Sequence, residues 1–216
     1  MSVKDRTWFP IAYMFVVTAV FSLVLVGFAR LTRDRVEANE RLAFEKAILA
    51  ALPITLPEGA SNAAIHKTFV DRVAPPDASS ASAYRLMENG RPTAYALPIS
   101  GRGFWDQIEG IVGLTYSAKN RVWEITGVAV YRQKETPGLG AEIATPRFLD
   151  QFDKKHKCVA RAGRALTFLP EGAEAGISEV NAITGATQTC TRLERIMNER
   201  LATWRDRMAS VLRDER

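Results

Sequence analysis

Three glycine-bearing segments hold the residue types that could do chemistry: 101–105 (GRGFW), 135–140 (ETPGLG) and 184–189 (TGATQT). In the third, Gly185 and Ala186 let the backbone approach a ligand, and Thr184 and Thr187 can cap a following helix. A helix start also offers free N–H groups to an anion such as phosphate. On residue types alone this is first a helix-start signal, with a phosphate seat as the functional alternative. Pro137-Gly138 is a favoured turn pair and Gly140 adds a second flexible position, so ETPGLG reads as a turn that could also cover a ligand. Trp105 could stack on a planar ring, although a tryptophan beside glycines is commonly a core or rim residue. Cys158, Cys190, His66 and His156 are too few for a closed metal cluster or a disulfide scaffold.

The elements that must position these segments follow from periodicity and punctuation. Glu88-Asn89-Gly90-Arg91 lies between YRLM and TAYALPI, and Asn-Gly supplies the positive φ angles of a tight hairpin turn. Segments 111–117 and 122–132 carry β-branched and aromatic residues on either side of Ala118-Lys119-Asn120-Arg121, which predicts a second hairpin. A short helix is expected over 146–155, where Phe148 and Phe152 stand at i,i+4, and a strand over 165–169. From Thr189 onward, Leu193, Ile196, Met197, Leu201, Trp204, Met208 and Leu212 recur every three or four residues, which describes a long amphipathic helix. Its Arg192, Arg195, Arg200, Arg205, Arg207 and Arg213 read as a solvated face. Segments 53–64 and 74–83 are rich in Pro, Ala and Ser and read as loops. Hairpins with helices at their ends predict an α+β domain, an antiparallel sheet with flanking helices.

The 216 residues begin with an apolar stretch. Between Arg6 and Arg30 lie 23 uncharged residues, and residues 9–29 would rise roughly 31 Å as a helix, about the thickness of a bilayer's hydrocarbon. The run exceeds the ~7–15 residues of a signal-peptide core, and no clear small-residue cleavage site follows, so a retained membrane anchor is expected. The organisation expected is an anchor over 1–31, a connecting helix over 32–52 ended by Pro53, and a domain over 53–216. Lys4 and Arg6 precede the span and Arg30, Arg33, Arg35 and Arg41 follow it, a count that by itself keeps the body in the cytoplasm. The net charge is +5, but 29 basic and 24 acidic residues are interleaved without a basic stripe, so no nucleic-acid partner is expected.

Taken together, TGATQT near the end of the chain, ETPGLGAEI after a strand and GRGFW upstream, behind one membrane helix, resemble an FMN-binding domain. That domain is shared by the C subunit of sodium-translocating NADH:quinone reductase and the G subunit of the Rnf ferredoxin:NAD complex. The family's flavinylation pattern, Ser/Thr-Gly-Ala-Ser/Thr-x-Thr, is filled here by Thr184, Gly185, Ala186, Thr187 and Thr189. The resemblance implies covalent FMN, one per chain, on the Thr189 hydroxyl, installed from FAD by a separate magnesium-dependent flavin transferase. It further implies a flavin ring against Trp105 and the Thr136, Pro137, Gly138, Leu139 and Gly140 loop, with Glu135 nearby. It places the flavin domain on the periplasmic side of a bacterial inner membrane, against the charge count. The implied role is an electron carrier among the membrane subunits of an ion-translocating respiratory complex. GRGFW, ETPGLGAEI and PRFLDQF lean towards the quinone reductase. An Rnf subunit, a free-standing membrane flavoprotein and a cofactor-free binding module are the alternatives. Neither a GxGxxG after a strand nor an iron–sulfur cysteine set occurs, so electron donor and acceptor are expected on partners. An oxidising compartment would permit a Cys158–Cys190 disulfide; two thiols are equally compatible with the sequence.

Overall fold

The computed structural model describes residues 8–57, 59–119, 122–153, 159–160 and 166–214. It divides into two compact units, Met1–Leu42 and Ala43–Arg216. Helix α1 (Trp8–Ala51) runs unbroken through the expected anchor and connecting segment and stops two residues before Pro53. Proline disfavours helical backbone in the residue before it, which limits the helix there. The first half of α1 is long and apolar enough to cross a membrane. Its side chains are apolar all round, with Phe15, Leu23 and Leu25 exposed alike, as in a helix whose solvent is lipid.

The second unit is built on a six-stranded antiparallel sheet in sequential order: β1 (Val73–Ala74), β2 (Tyr84–Glu88), β3 (Arg91–Arg102), β4 (Gln107–Ser117), β5 (Val122–Arg132) and β6 (Val159–Ala160). Asn89 and Gly90 take φ of 51° and 74° and close the β2–β3 hairpin, as the Asn-Gly pair requires. The β4–β5 hairpin joins the two strands expected there, and Asn120 and Arg121 of its turn lie outside the described residues. β3 and β4 are longer than their apolar runs. They pair as far as Arg102 and Gln107, with the Gly103 N–H donating to the Asp106 carbonyl at 2.7 Å, so GRGFW forms a hairpin tip.

Helix α2 (Asn62–Arg72) starts inside the segment read as a loop. Ser61 caps it, its hydroxyl accepting the Ala64 N–H at 3.2 Å, and this cap supplies the order that the Pro- and Gly-containing composition hides. A short helix α3 (Pro146–Leu149) continues as a 3-10 turn over Asp150–Phe152, tighter than the helix expected there. β7 (Thr167–Leu169) pairs with β8 (Glu179–Asn181) in a small parallel sheet. Helix α4 (Thr187–Asp214) ends the described chain.

Both faces of the sheet are covered, which is why β4 reads as a nearly continuous buried run. Val112 and Leu114 join Leu193, Ile196, Met197, Leu201, Trp204 and Met208 of α4 in one core. Alternation sends Gly113 the other way, where a side chain would overlap the Ala51 carbonyl at the end of α1. Gly113 faces Gly127 across the ladder, and the Thr126 hydroxyl donates to the same carbonyl at 2.7 Å. The two glycines thus form a notch that seats the end of α1.

Candidate functional site

The end of β5 and the start of α4 meet through one pair of buried side chains. Glu135 and Thr189 are 5% and 4% exposed, and the Thr189 hydroxyl donates to Glu135 Oε2 at 2.6 Å. The other carboxylate oxygen, Oε1, accepts the Trp105 backbone N–H at 3.1 Å. Three segments far apart in sequence therefore converge on a single carboxylate. Their glycines make the approach possible: a side chain at Gly103 would run into Glu135 Oε1, and a Cβ at Gly140 would lie 2.5 Å from Thr189 Oγ1. Thr189 is the third residue of α4, so the carboxylate faces the first turn of the helix, where the backbone dipoles favour an anion.

The loop after Glu135 folds as the turn that Pro137-Gly138 predicts. The N–H groups of Leu139 and Ala141 both donate to the Thr136 carbonyl at 3.1 Å, and a 3-10 turn follows over Gly140–Ala144. Leu139 reaches over the TGATQT turn, where Gly185 adopts φ of 79° and a Cβ would come within 2.9 Å of Leu139 Cδ2. Ala186 is buried there, while Thr184 and Thr187 are exposed. Trp105 stands at the rim, 63% exposed, its indole N–H donating to Thr136 Oγ1 at 3.0 Å and its ring edge-on to Phe104.

Two adjoining concavities flank the Thr184 turn. The larger, about 590 Å³, has walls that include Gly138, Glu142, Arg147, Gln151, Asn181 and Thr184; the smaller, about 360 Å³, includes Gly185, Thr187, Cys190 and Thr191. Both lie within the range of small-ligand sites. Trp105 and Thr189 line neither. The indole of Trp105 ties the GRGFW tip to the loop through Thr136, beside rather than within the two concavities. Asn181 Oδ1 is buried on the wall with no hydrogen-bond donor among the described residues. Arg147, Glu171, Gln151 and Asn181 were not singled out in the sequence, where each is an ordinary polar residue in a loop or strand end. Hydrogen bonds from the Thr184 hydroxyl and N–H, with Arg147 beside them, hold the Glu171 carboxyl below the usual carboxylate range.

Cys190 lies under the smaller concavity, its sulfur accepting the Ile183 N–H at 3.4 Å, and burial raises its thiol pKa. Cys158 lies outside the described residues. The arginines of α4 are not uniformly solvated: Arg200 Nε donates to the Pro98 carbonyl at 3.1 Å, and burial lowers the pKa of Arg205. The side chains of Leu212 and Arg213 also lie outside the described part of the molecule.

The residues present fit a phosphate-tethered planar ligand. A hydroxyl stands in the first turn of a helix whose N–H groups lack intrahelical acceptors, and a cavity with an unsatisfied acceptor opens beside it. The Thr189 hydroxyl itself is buried, with Gly140 packed against it.

Residues 103–202 match the family described as FMN-binding domain. The chain is 34% identical over 133 residues to the C subunit of Na(+)-translocating NADH-quinone reductase from Chlamydia caviae, covering 54% of this chain and 40% of that one. It is 36% identical over 103 residues to the corresponding protein of Haemophilus ducreyi, covering 47% and 38%. The matches thus span about two fifths of these relatives' length. Among solved structures, the C subunit of the Parabacteroides distasonis enzyme superposes with a TM-score of 0.63 at 18% identity, over 82% of this chain and 96% of that one. Shewanella oneidensis NqrC superposes at 0.58 and 19%, over 80% and 99%. The α+β fold is therefore that of these two solved structures. The stretch that matches the FMN-binding domain family, 103–202, is the one whose segments gather around Glu135 and Thr189.

Proposed function

We propose that this chain carries FMN joined by a phosphoester to the Thr189 hydroxyl and relays electrons as a subunit of a membrane oxidoreductase of the sodium-translocating NADH:quinone reductase type. The observation that carries this reading is the placement of the Thr-Gly-Ala-Thr-x-Thr pattern at the start of α4, with its last hydroxyl held by Glu135. A phosphodiester keeps a negative charge, and the first turn of a long helix stabilises it. Gly138, Thr184 and Asn181 would border the ring, and the Asn181 carbonyl oxygen offers an acceptor to a ring N–H. When bound, the flavin supplies the electron-accepting and electron-donating chemistry, while the protein positions it and shapes its electrostatics.

A covalent tether keeps the ring at high effective concentration near its seat, so retention no longer depends on a dissociation constant. In this reading α1 anchors the chain in the inner membrane, the body lies on the periplasmic side, and a flavin transferase performs the attachment. Membrane partner subunits hold the electron donor and acceptor. The aligned relatives belong to the quinone reductase, which favours that complex over Rnf.

Co-expression with an active flavin transferase tests the reading. The denatured chain is expected to fluoresce in the gel and to gain the mass of one FMN less water, and Thr189→Ala is expected to lose both. A dark, unmodified wild-type chain beside a modified control substrate would return TGATQT to a simple helix start.

A further inference from the structure

We propose that Arg192 is the phosphate-holding side chain of the site: its guanidinium is the counter-ion of a phosphodiester on Thr189. The inference rests on the reading that Thr189 is the esterified residue, and it starts from what an ester there would undo. The Thr189 hydroxyl donates to Glu135 Oε2 at 2.6 Å, and Oε1 accepts the Trp105 N–H at 3.1 Å. Replacing the O–H by O–P removes the donor that Oε2 uses and sets a second negative charge beside a buried carboxylate. Free N–H groups of the first helical turn offset part of that charge. A cation is the further requirement, since like charges held together away from water repel strongly.

The first two turns of α4, residues 187–193, contain one basic residue, Arg192. It follows Thr189 by three positions, a spacing that makes two helical residues surface neighbours with Cβ atoms about 5–6 Å apart. Long helical side chains lean back towards the N-terminus over the preceding turn, and for Arg192 that turn holds Thr189. Arg192 is partly buried, and its buried Nε has no hydrogen-bond acceptor among the described residues. A buried donor left without an acceptor is costly, so an anion beside it would be stabilised. The next arginines along α4 are already engaged, Arg195 with Glu199 at 4.0 Å and Arg200 with the Pro98 carbonyl at 3.1 Å. Arg85, whose Nε is likewise buried without an acceptor, is ion-paired with Asp77. A planar guanidinium can give two parallel N–H bonds to one phosphate, which supplies orientation as well as charge.

The test is a cycle on the full chain in detergent: wild type and Arg192→Gln, each made with and without a co-expressed flavin transferase, unfolded in urea and followed by circular dichroism. Without flavin, Arg192→Gln is expected to be at least as stable as wild type, because an unsatisfied guanidinium is lost. With flavin, the same substitution is expected to raise the unfolding equilibrium constant about tenfold or more. Arg192→Lys, which keeps the charge and loses the fork, is expected to fall between, and Arg195→Gln to affect both forms alike. A side chain that merely packs would shift both forms equally, so equal shifts in modified and unmodified Arg192→Gln overturn the proposal. Should Arg192→Gln fail to fold or to take up flavin, Arg192→Met, close in length and uncharged, replaces it under the same criterion. Intact mass and peptide mapping keep the two readings apart. One FMN on Thr189 with equal shifts defeats the role of Arg192 alone, whereas wild type without flavin, or with flavin on another residue, defeats the esterification reading and this proposal with it.

Discussion

Glu135 and Thr189 lie 54 residues apart in the chain, yet the Thr189 hydroxyl donates to the Glu135 carboxylate at 2.6 Å. Such a pair is sensitive to a single methyl group. Gly140→Ala would put a Cβ 2.5 Å from Thr189 Oγ1 and 2.9 Å from Glu135 Cβ. We expect it to destabilise the domain by about 1–3 kcal/mol in urea titration. A second residue-scale prediction concerns Tyr131. Burial, helped by donation to Glu109 Oε2 at 3.0 Å, pushes its phenol from 10.0 to about 12. The folded state therefore holds this proton more tightly than the unfolded one. The contribution is complete below pH 10 and is lost as pH rises towards 12. The ultraviolet phenolate titration of wild type minus Tyr131→Phe should show a midpoint near 12, and a midpoint near 10 would refute the assignment. The Thr189 hydroxyl, the glycines near it and the loop residues were all legible as types at characteristic spacings. The hydrogen bond was not, because a Glu in a turn and a Thr at a helix start carry no mark of their partner.

At the scale of elements, the end of α1 is held by the notch on β4 and β5. Thr126→Val keeps the shape and removes the donor to the Ala51 carbonyl. We expect a cost of about 1–3 kcal/mol, read from the shift in urea midpoint. Gly113→Ala should cost more, since the added methyl meets backbone that cannot swing aside. The amphipathic period of α4 was plain in the sequence, and the residues it selects are those buried against the sheet. Trp204 shows what periodicity leaves open. Its burial follows from spacing, but its indole N–H donates to the Ser80 carbonyl at 3.0 Å and its ring meets Trp123 edge-on at 4.7 Å, contacts set by tertiary packing. Helix α2 escaped because its 11 residues lack a strong apolar stripe and follow Pro57 and Gly59.

Considered whole, the molecule places its unit boundary inside a helix: Ala43–Arg216 includes the last two turns of α1. A chain beginning at Ala43 should remain folded and partition into the aqueous phase. One beginning at Pro53 should unfold, because it loses the fully buried Ile48 and Leu49 and the carbonyl that Thr126 binds. Circular dichroism and detergent phase separation distinguish the two outcomes. By itself the sequence determined what depends on short-range chemistry: an apolar run of membrane length, hairpins with φ-positive turns, one amphipathic helix, and a threonine pattern at that helix's start. Tertiary structure alone decided which distant groups meet. It brought the GRGFW tip, the loop after β5 and the first turn of α4 around a buried carboxylate, set the concavities towards Gly138 and Thr184, and seated α1 on paired glycines. Periodicity fixes which face of an element is buried, but the partner of each polar atom depends on close packing between segments that no local pattern links.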